Sequence, residues 1–135
     1  MSAVESATED PPPIALIVDD TARDRNIARR MLKRLGWDAL PVLSGTAAIE
    51  QLRHRRFDLV LLDLSLPGLS GEETCARIRN ELALADLPVV ACTTQSMPDE
   101  SAQLIAGGFD GVLVKPLSFD DVRRLCVELG HAGRA

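Results

Sequence analysis

The feature that most limits what this chain can fold into is a short run, Leu59-Val60-Leu61-Leu62, that is apolar at every position. A strand with one wet face alternates apolar and polar residues. An unbroken run of this length therefore reads as a central strand covered on both faces, the mark of a parallel sheet. Asp63 follows directly, shortly before a Pro67-Gly68 turn. A carboxylate thus stands at the carboxyl end of a dry strand, the edge where open α/β sheets bind ligands. A charge there is costly unless something compensates it.

The rest of the chain repeats the pattern. Ile14 to Val18 is a first apolar run that ends in Asp19-Asp20. A helix is expected next, capped by Asp20 or Thr21, with Ile27, Ala28, Met31, Leu32 and Leu35 inward and Arg23, Arg25, Arg29, Arg30 and Lys33 facing water. Gly36 stops it. Trp37 to Leu43 reads as a strand at the sheet edge, where Pro41 is tolerable. Ser44 caps a second helix carrying Ala48, Ile49 and Leu52.

After the central strand, a helix is expected from Gly71 to Leu84 with Cys75, Ile78 and Leu82 on one face. Pro88 to Cys92 is a fourth strand ending in Thr93-Thr94, and a helix from Pro98 to Ala106 stops at Gly107-Gly108. Gly111 to Val114 is a fifth strand, ending in Lys115-Pro116. Ser118 and Asp121 resemble a capping box for a last helix whose inner face is Val122, Leu125, Cys126 and Leu129. Strands alternating with helices predict an α/β fold, a doubly wound five-stranded parallel sheet with right-handed crossovers. Five strands suit the order 2-1-3-4-5.

Composition narrows the class. A net charge of −5 argues against nucleic acid or an anionic membrane as the main partner. No apolar run approaches the roughly 18 residues of a membrane span. Residues 1–13 lack the basic start and apolar core of a secretion signal and read as a disordered lead-in. Residues 14–130 form one domain, and 131–135 a short tail. Cys75, Cys92 and Cys126 form no CxxC or Cys/His spacing and read as small buried residues of a reduced cytoplasm. The basic run Arg53-His54-Arg55-Arg56 fits a helix C-terminus better than a nucleic-acid patch. Trp37 reads as packing, Met97-Pro98 as either core or partner contact, and His54 and His131 lack a second ligand at metal spacing.

The predicted order brings Asp19-Asp20, Asp63, Thr93 and Lys115 to one rim. Carboxylates about 6 Å apart repel by about 3 kcal/mol per pair at an effective dielectric of about 20. One lysine does not offset three acids; a hard divalent cation does, and oxygen ligands favour Mg²⁺. A carboxylate nucleophile with a metal, a lysine and a hydroxyl donor is the equipment of phosphoryl transfer to an aspartate. Each part also has a plainer reading. Asp63 alone caps a loop, Asp19-Asp20 alone cap a helix, and Thr93 alone is a strand residue.

Val18-Asp19-Asp20, Leu62-Asp63-Leu64 with Leu66-Pro67-Gly68 and Ser70-Gly71, Cys92-Thr93-Thr94 and Val114-Lys115-Pro116 resemble, in order and spacing, the signatures of response-regulator receiver domains of the chemotaxis-regulator type. The resemblance covers Ile14 to Leu129 and implies the flavodoxin-like receiver fold. It implies Asp63 as phospho-acceptor and Asp20, Asp63, Asp19 (through water) and the Ser65 backbone carbonyl as Mg²⁺ ligands, with Mn²⁺ able to substitute. It further implies Lys115 as the phosphoryl partner, Thr93 as the switch, and a cis bond before Pro116 that aims the lysine inward. Val112 stands where many receivers have an aromatic that swings inward with the threonine. Ser65 and Gln95 flank the phosphoryl position without a repelling charge, and Thr94, often alanine in the family, narrows access.

The function so implied is a cytoplasmic single-domain receiver. It takes a phosphoryl group from a histidine kinase or histidine phosphotransfer protein and signals by docking or phosphorelay, as a monomer or weak homodimer. It modifies itself and slowly reverses this, without being an enzyme acting on a free metabolite. With only a tail after the last helix, no output domain is expected. The fourth helix, fifth strand and fifth helix would face the output partner, and the first helix the donor. A pseudo-receiver that is never phosphorylated is one alternative. A phosphohydrolase of the haloacid-dehalogenase class is another, although Ser65 stands where that class needs an acid. No GxGxxG follows the first strand to support a dinucleotide oxidoreductase.

Overall fold

The computed structural model describes residues 11–94 and 98–129. Gln95, Met97 and His131 therefore lie outside the described residues. Five parallel strands alternate with five helices: β1 Ile14–Val18, α1 Ala22–Arg34, β2 Asp38–Val42, α2 Gly45–His54, β3 Leu59–Asp63, α3 Gly71–Asn80, β4 Val89–Thr93, α4 Pro98–Ala106, β5 Gly111–Val114 and α5 Phe119–Glu128. The sheet order is β2-β1-β3-β4-β5, as expected for a doubly wound fold.

β3 is buried at all of its positions. Its residues alternate between two cores. Val60 and Leu62 pack with Leu16, Val18, Ile49, Ile78 and Leu104 on the side of α2, α3 and α4. Leu59 and Leu61 pack with Ala28, Leu32, Val122 and Cys126 on the side of α1 and α5. Each fully buried apolar side chain contributes about 1.5–3 kcal/mol. Four in succession hold the strand firmly enough to carry a partly desolvated carboxylate at its tip. By the same alternation Asp63 shares the parity of Leu59 and Leu61, so it faces α1 and α5.

Local signals explain most helix ends, and tertiary contacts explain the exceptions. Ser44 accepts the Ala47 amide. Ser118 accepts the Asp121 amide, one half of the expected box. A complete capping box forms instead at Ser70 and Glu73. Thr21 is the N-cap of α1 but makes no side-chain cap bond. Gly36 and Gly108, at φ 87° and 109°, take the left-handed turns that end α1 and α4.

α3 ends at Asn80 rather than at Leu84. The Leu84 amide turns back to the Ile78 carbonyl while Ala83 adopts φ 56°. The Arg79 guanidinium donates to the carbonyls of Leu84, Leu87 and Gly108 and pairs with Asp110 at 2.8 Å. Helical periodicity continues through Leu82 and Leu84, but this web captures the chain first. The second strand is likewise trimmed to Asp38–Val42, and Trp37 is buried in the core.

All three cysteines are free and buried. Burial pushes the Cys92 thiol up to about 12 and the Cys126 thiol up to about 11, and it also raises Cys75. Such thiols are inert. In the basic run, Arg53 pairs with Glu81, His54 with Glu50, and Arg55 lies over the Phe57 ring. Each of these three is engaged within the protein.

Gly71 opens α3 directly against the site strand. A Cβ there would lie 2.6 Å from the Asp63 carbonyl oxygen and 2.9 Å from the Leu64 Cα, both backbone atoms that cannot move aside. Gly71→Ala is expected to destabilise the fold by about 2 kcal/mol, within the range for overpacking a close contact. At Gly107 the nearest atoms are 3.5 Å away. Gly107→Ala should therefore change stability by less than about 0.5 kcal/mol. Urea midpoints of the two variants check this contrast.

Candidate functional site

Parallel registry brings the strand ends level. Val18 lies beside Leu62, Asp63 beside Cys92, and Thr93 beside Val114. The ladder continues past the strands. Leu64 N donates to the Cys92 carbonyl at 3.1 Å, and Lys115 N to the Thr93 carbonyl at 2.7 Å. The residues following β1, ending β3 and following β5 are therefore placed by backbone pairing before any side chain interacts.

Asp19, Asp20 and Asp63 each present a carboxylate oxygen within 4.8 Å of the others. Asp19 and Asp63 are 5% and 3% exposed, whereas Asp20 is open to solvent. The Asp19 carboxylate is oriented by the Thr21 amide at 2.9 Å, and the Asp63 carboxylate by the Ser65 amide at 3.0 Å. Lys115 reaches in from beyond β5. Its Nζ lies 2.8 Å from Asp19 Oδ2, 3.1 Å from Asp24 Oδ2 and 3.5 Å from Asp63 Oδ1. The Lys115–Pro116 bond is cis.

The electrostatics follow from this packing. Burial raises the Asp63 pKa above the usual carboxylate range, against the Ser65 amide and the Lys115 charge, while the Asp19 charge adds to the rise. Burial acts to lower the Lys115 pKa. Hydrogen bonds to Asp19 and Asp24, with the charges of Asp19 and Asp63, outweigh it, so the ammonium is held above its ordinary value. The lysine stays charged because the acids surround it.

Thr93 is half-buried at the end of β4, and Thr94 is exposed beyond it. Both line, with Ser65, Glu72, Glu100 and Gln103, an open cleft of about 360 Å³. Val112 is half-buried and packs on the core of the α2, α3 and α4 side.

Two residues near the site depart from the sequence reading. Asp24, not singled out in the sequence, joins the lysine's shell. Arg25, expected to face water, is half-buried and donates to the Asp19 carbonyl at 2.9 Å.

The arrangement can hold a hard cation among oxygen donors and present a carboxylate to an electrophile beside a fixed ammonium. The family profile described as "Response regulator receiver domain" matches residues 15–126. Sensor histidine kinase AruS of Pseudomonas aeruginosa is 40% identical over 117 residues, which cover 85% of this chain and 12% of the kinase. Two-component response regulator ARR15 of Arabidopsis thaliana is 30% identical over 146 residues, covering 100% of this chain and 71% of that protein. Among solved structures, the receiver domain of sensor histidine kinase PA1611 from Pseudomonas aeruginosa PAO1 superposes with a TM-score of 0.79 at 24% identity, over 88% of this chain and 98% of that one. That receiver has a magnesium ion coordinated in its active site cleft. The chain belongs to the response regulator receiver domain family of two-component signalling.

Proposed function

We propose that this domain accepts a phosphoryl group on Asp63 from the phosphohistidine of a histidine kinase or histidine phosphotransfer protein, in a Mg²⁺-dependent reaction, and passes the signal on by docking or relay. The observation that carries the reading is the buried Asp63 carboxylate beside both a second carboxylate pair and the Lys115 ammonium. Three carboxylates within 4.8 Å, one of them solvent-exposed, form an all-oxygen donor set that suits Mg²⁺. Asp20, Asp63, Asp19 (through water) and the Ser65 carbonyl would hold it. When bound, the ion would neutralise the acids and draw charge from the equatorial phosphoryl oxygens.

The chain's own groups divide the remaining work. The Ser65 amide and Lys115 both address Asp63 Oδ1, which leaves Oδ2 to attack phosphorus. The new O–P bond forms as the P–N bond to imidazole breaks, and the departing nitrogen keeps the electron pair and takes a proton. Lys115 steadies the oxygens of the transferred group. Thr93 would offer its hydroxyl to the product, with Thr94 and Gln95 tuning access to it and Val112 taking little part in the switch. One large apolar side chain each from α4, β5 and α5 (Ile105, Val114 and Val127) is exposed at 50%, 42% and 53%. The output surface would lie on these three elements. Among the described residues no helix is long and apolar enough to cross a membrane.

The test is incubation with acetyl phosphate and Mg²⁺. A phosphoryl mass adduct on Asp63 that does not form when Mg²⁺ is chelated beforehand is expected. Absence of any adduct would favour the unphosphorylated interaction module, and steady turnover of a phosphate monoester would favour the hydrolase.

A further inference from the structure

Asp24 has no role in the mechanism above, and its position in the first turn of α1 would satisfy a helix dipole alone. Its contact says more. The Lys115 ammonium is shared unequally among three carboxylates, at 2.8 Å from Asp19, 3.1 Å from Asp24 and 3.5 Å from Asp63. The first two are hydrogen bonds by length, and the third is outside the usual range. The lysine therefore leans toward the α1 side of the site and away from the residue it would serve.

Asp19 is further committed. Its Oδ1 accepts the Thr21 amide and its carbonyl accepts Arg25. Asp24 Oδ2 is the remaining anchor, contributed by a helix rather than by a strand end. We propose that Asp24 is a positioning residue that holds Lys115 back from Asp63 in the resting domain and so limits the rate of phosphoryl acceptance. This rests on the reading of Asp63 as acceptor. An ammonium has three donors. Releasing the one on Asp24 frees it to turn toward the incoming anionic oxygens.

The experiment measures the rate of acetyl phosphate labelling at saturating Mg²⁺, followed by intact mass, for wild type, Asp24→Asn, Asp24→Glu, Lys115→Gln and the Asp24→Asn/Lys115→Gln double variant. Asp24→Asn is expected to label about fivefold faster, with the gain shrinking as KCl screens the charges. Asp24→Glu, which keeps the anion, should return toward the wild-type rate. Without Lys115, Asp24→Asn should give no acceleration. Calorimetric binding of beryllofluoride with Mg²⁺ reads the same preference without turnover, and Asp24→Asn should bind it about fivefold more tightly.

A variant no faster than wild type overturns the inference. So does an equal gain with and without Lys115, which would make Asp24 a source of repulsion only. If wild type takes no phosphoryl group on Asp63, the acceptor reading and this inference fall together. If wild type labels and Asp24→Asn is no faster, the inference alone falls.

Discussion

Asp63→Asn is expected to lose phosphoryl acceptance entirely and to be more stable than wild type at neutral pH. The first half follows from removing the attacking oxygen. The second follows from burial. Asp63 is held above its ordinary value of 3.8, so the native state binds its proton more tightly than the unfolded chain does. Stability contributed by this group therefore falls as pH rises from the unfolded value through the folded one, and stays low above it. A neutral amide removes that loss along with the repulsion from Asp19. The gain at pH 7 should be about 1 kcal/mol, or a few degrees in the thermal midpoint. It should vanish near pH 3, where the wild-type acid is protonated in both states. Added Mg²⁺ should close the gap from the other side by stabilising wild type more than the variant. Thermal unfolding at pH 7 and pH 3, with and without Mg²⁺, checks each part. A variant less stable than wild type at neutral pH and low Mg²⁺ contradicts the account.

Lys115→Gln should move stability the opposite way. The side chain is 12% exposed and approaches three carboxylates, two of them nearly buried. Removing one partner of such a group leaves the others uncompensated, at a cost of about 3 kcal/mol. The native lysine is held above its ordinary value of 10.5, so on the alkaline side its contribution is lost only as pH rises through the folded value. The deficit at neutral pH is thus the full one. Acidification should shrink it, because the stranded carboxylates then take up protons, and millimolar Mg²⁺ should shrink it by replacing the missing positive charge. The labelling rate should fall about 100-fold, the scale of losing one fixed donor to a developing anion. Urea titrations at pH 7 and 5, with and without Mg²⁺, together with labelling rates, test the prediction. Wild-type stability in Lys115→Gln would mean that the acids are already balanced by other means.

The sheet is legible in the sequence because its strands are short and punctuated, and its central ones are apolar. Leu59 to Leu62 and Val89 to Cys92 leave no alternation to misread, and charged or hydroxyl residues mark where each strand stops. The placement of Asp19, Asp20, Asp63 and Lys115 at one rim follows from strand order alone, since parallel strands put all their carboxyl ends together. Side-chain events are less legible. Asp24 sits in an arginine-rich helix, and nothing in the local pattern sets it apart. It reaches the site because α1 packs on the sheet face to which Asp63 belongs, a relation set by tertiary parity. Arg25 turns inward to the Asp19 carbonyl for the same reason. The early end of α3 depends on Arg79 meeting carbonyls of Leu84, Leu87 and Gly108, and no local pattern encodes that meeting. The Ser70–Glu73 box was readable as Ser-x-x-Glu, but the adjoining Pro67-Gly68 turn obscured it.

The rung from the Lys115 amide to the Thr93 carbonyl, 2.7 Å long, ties the main chain of the lysine that reaches Asp63 to the tip of β4. Any displacement of the β4 tip is thereby handed to the amine's own main chain without a relay of side chains. If Asp63 accepts a phosphoryl group as proposed, the event would travel as a shear of two neighbouring backbones, and a rotating aromatic at the Val112 position would not be required for it to reach the β5 edge.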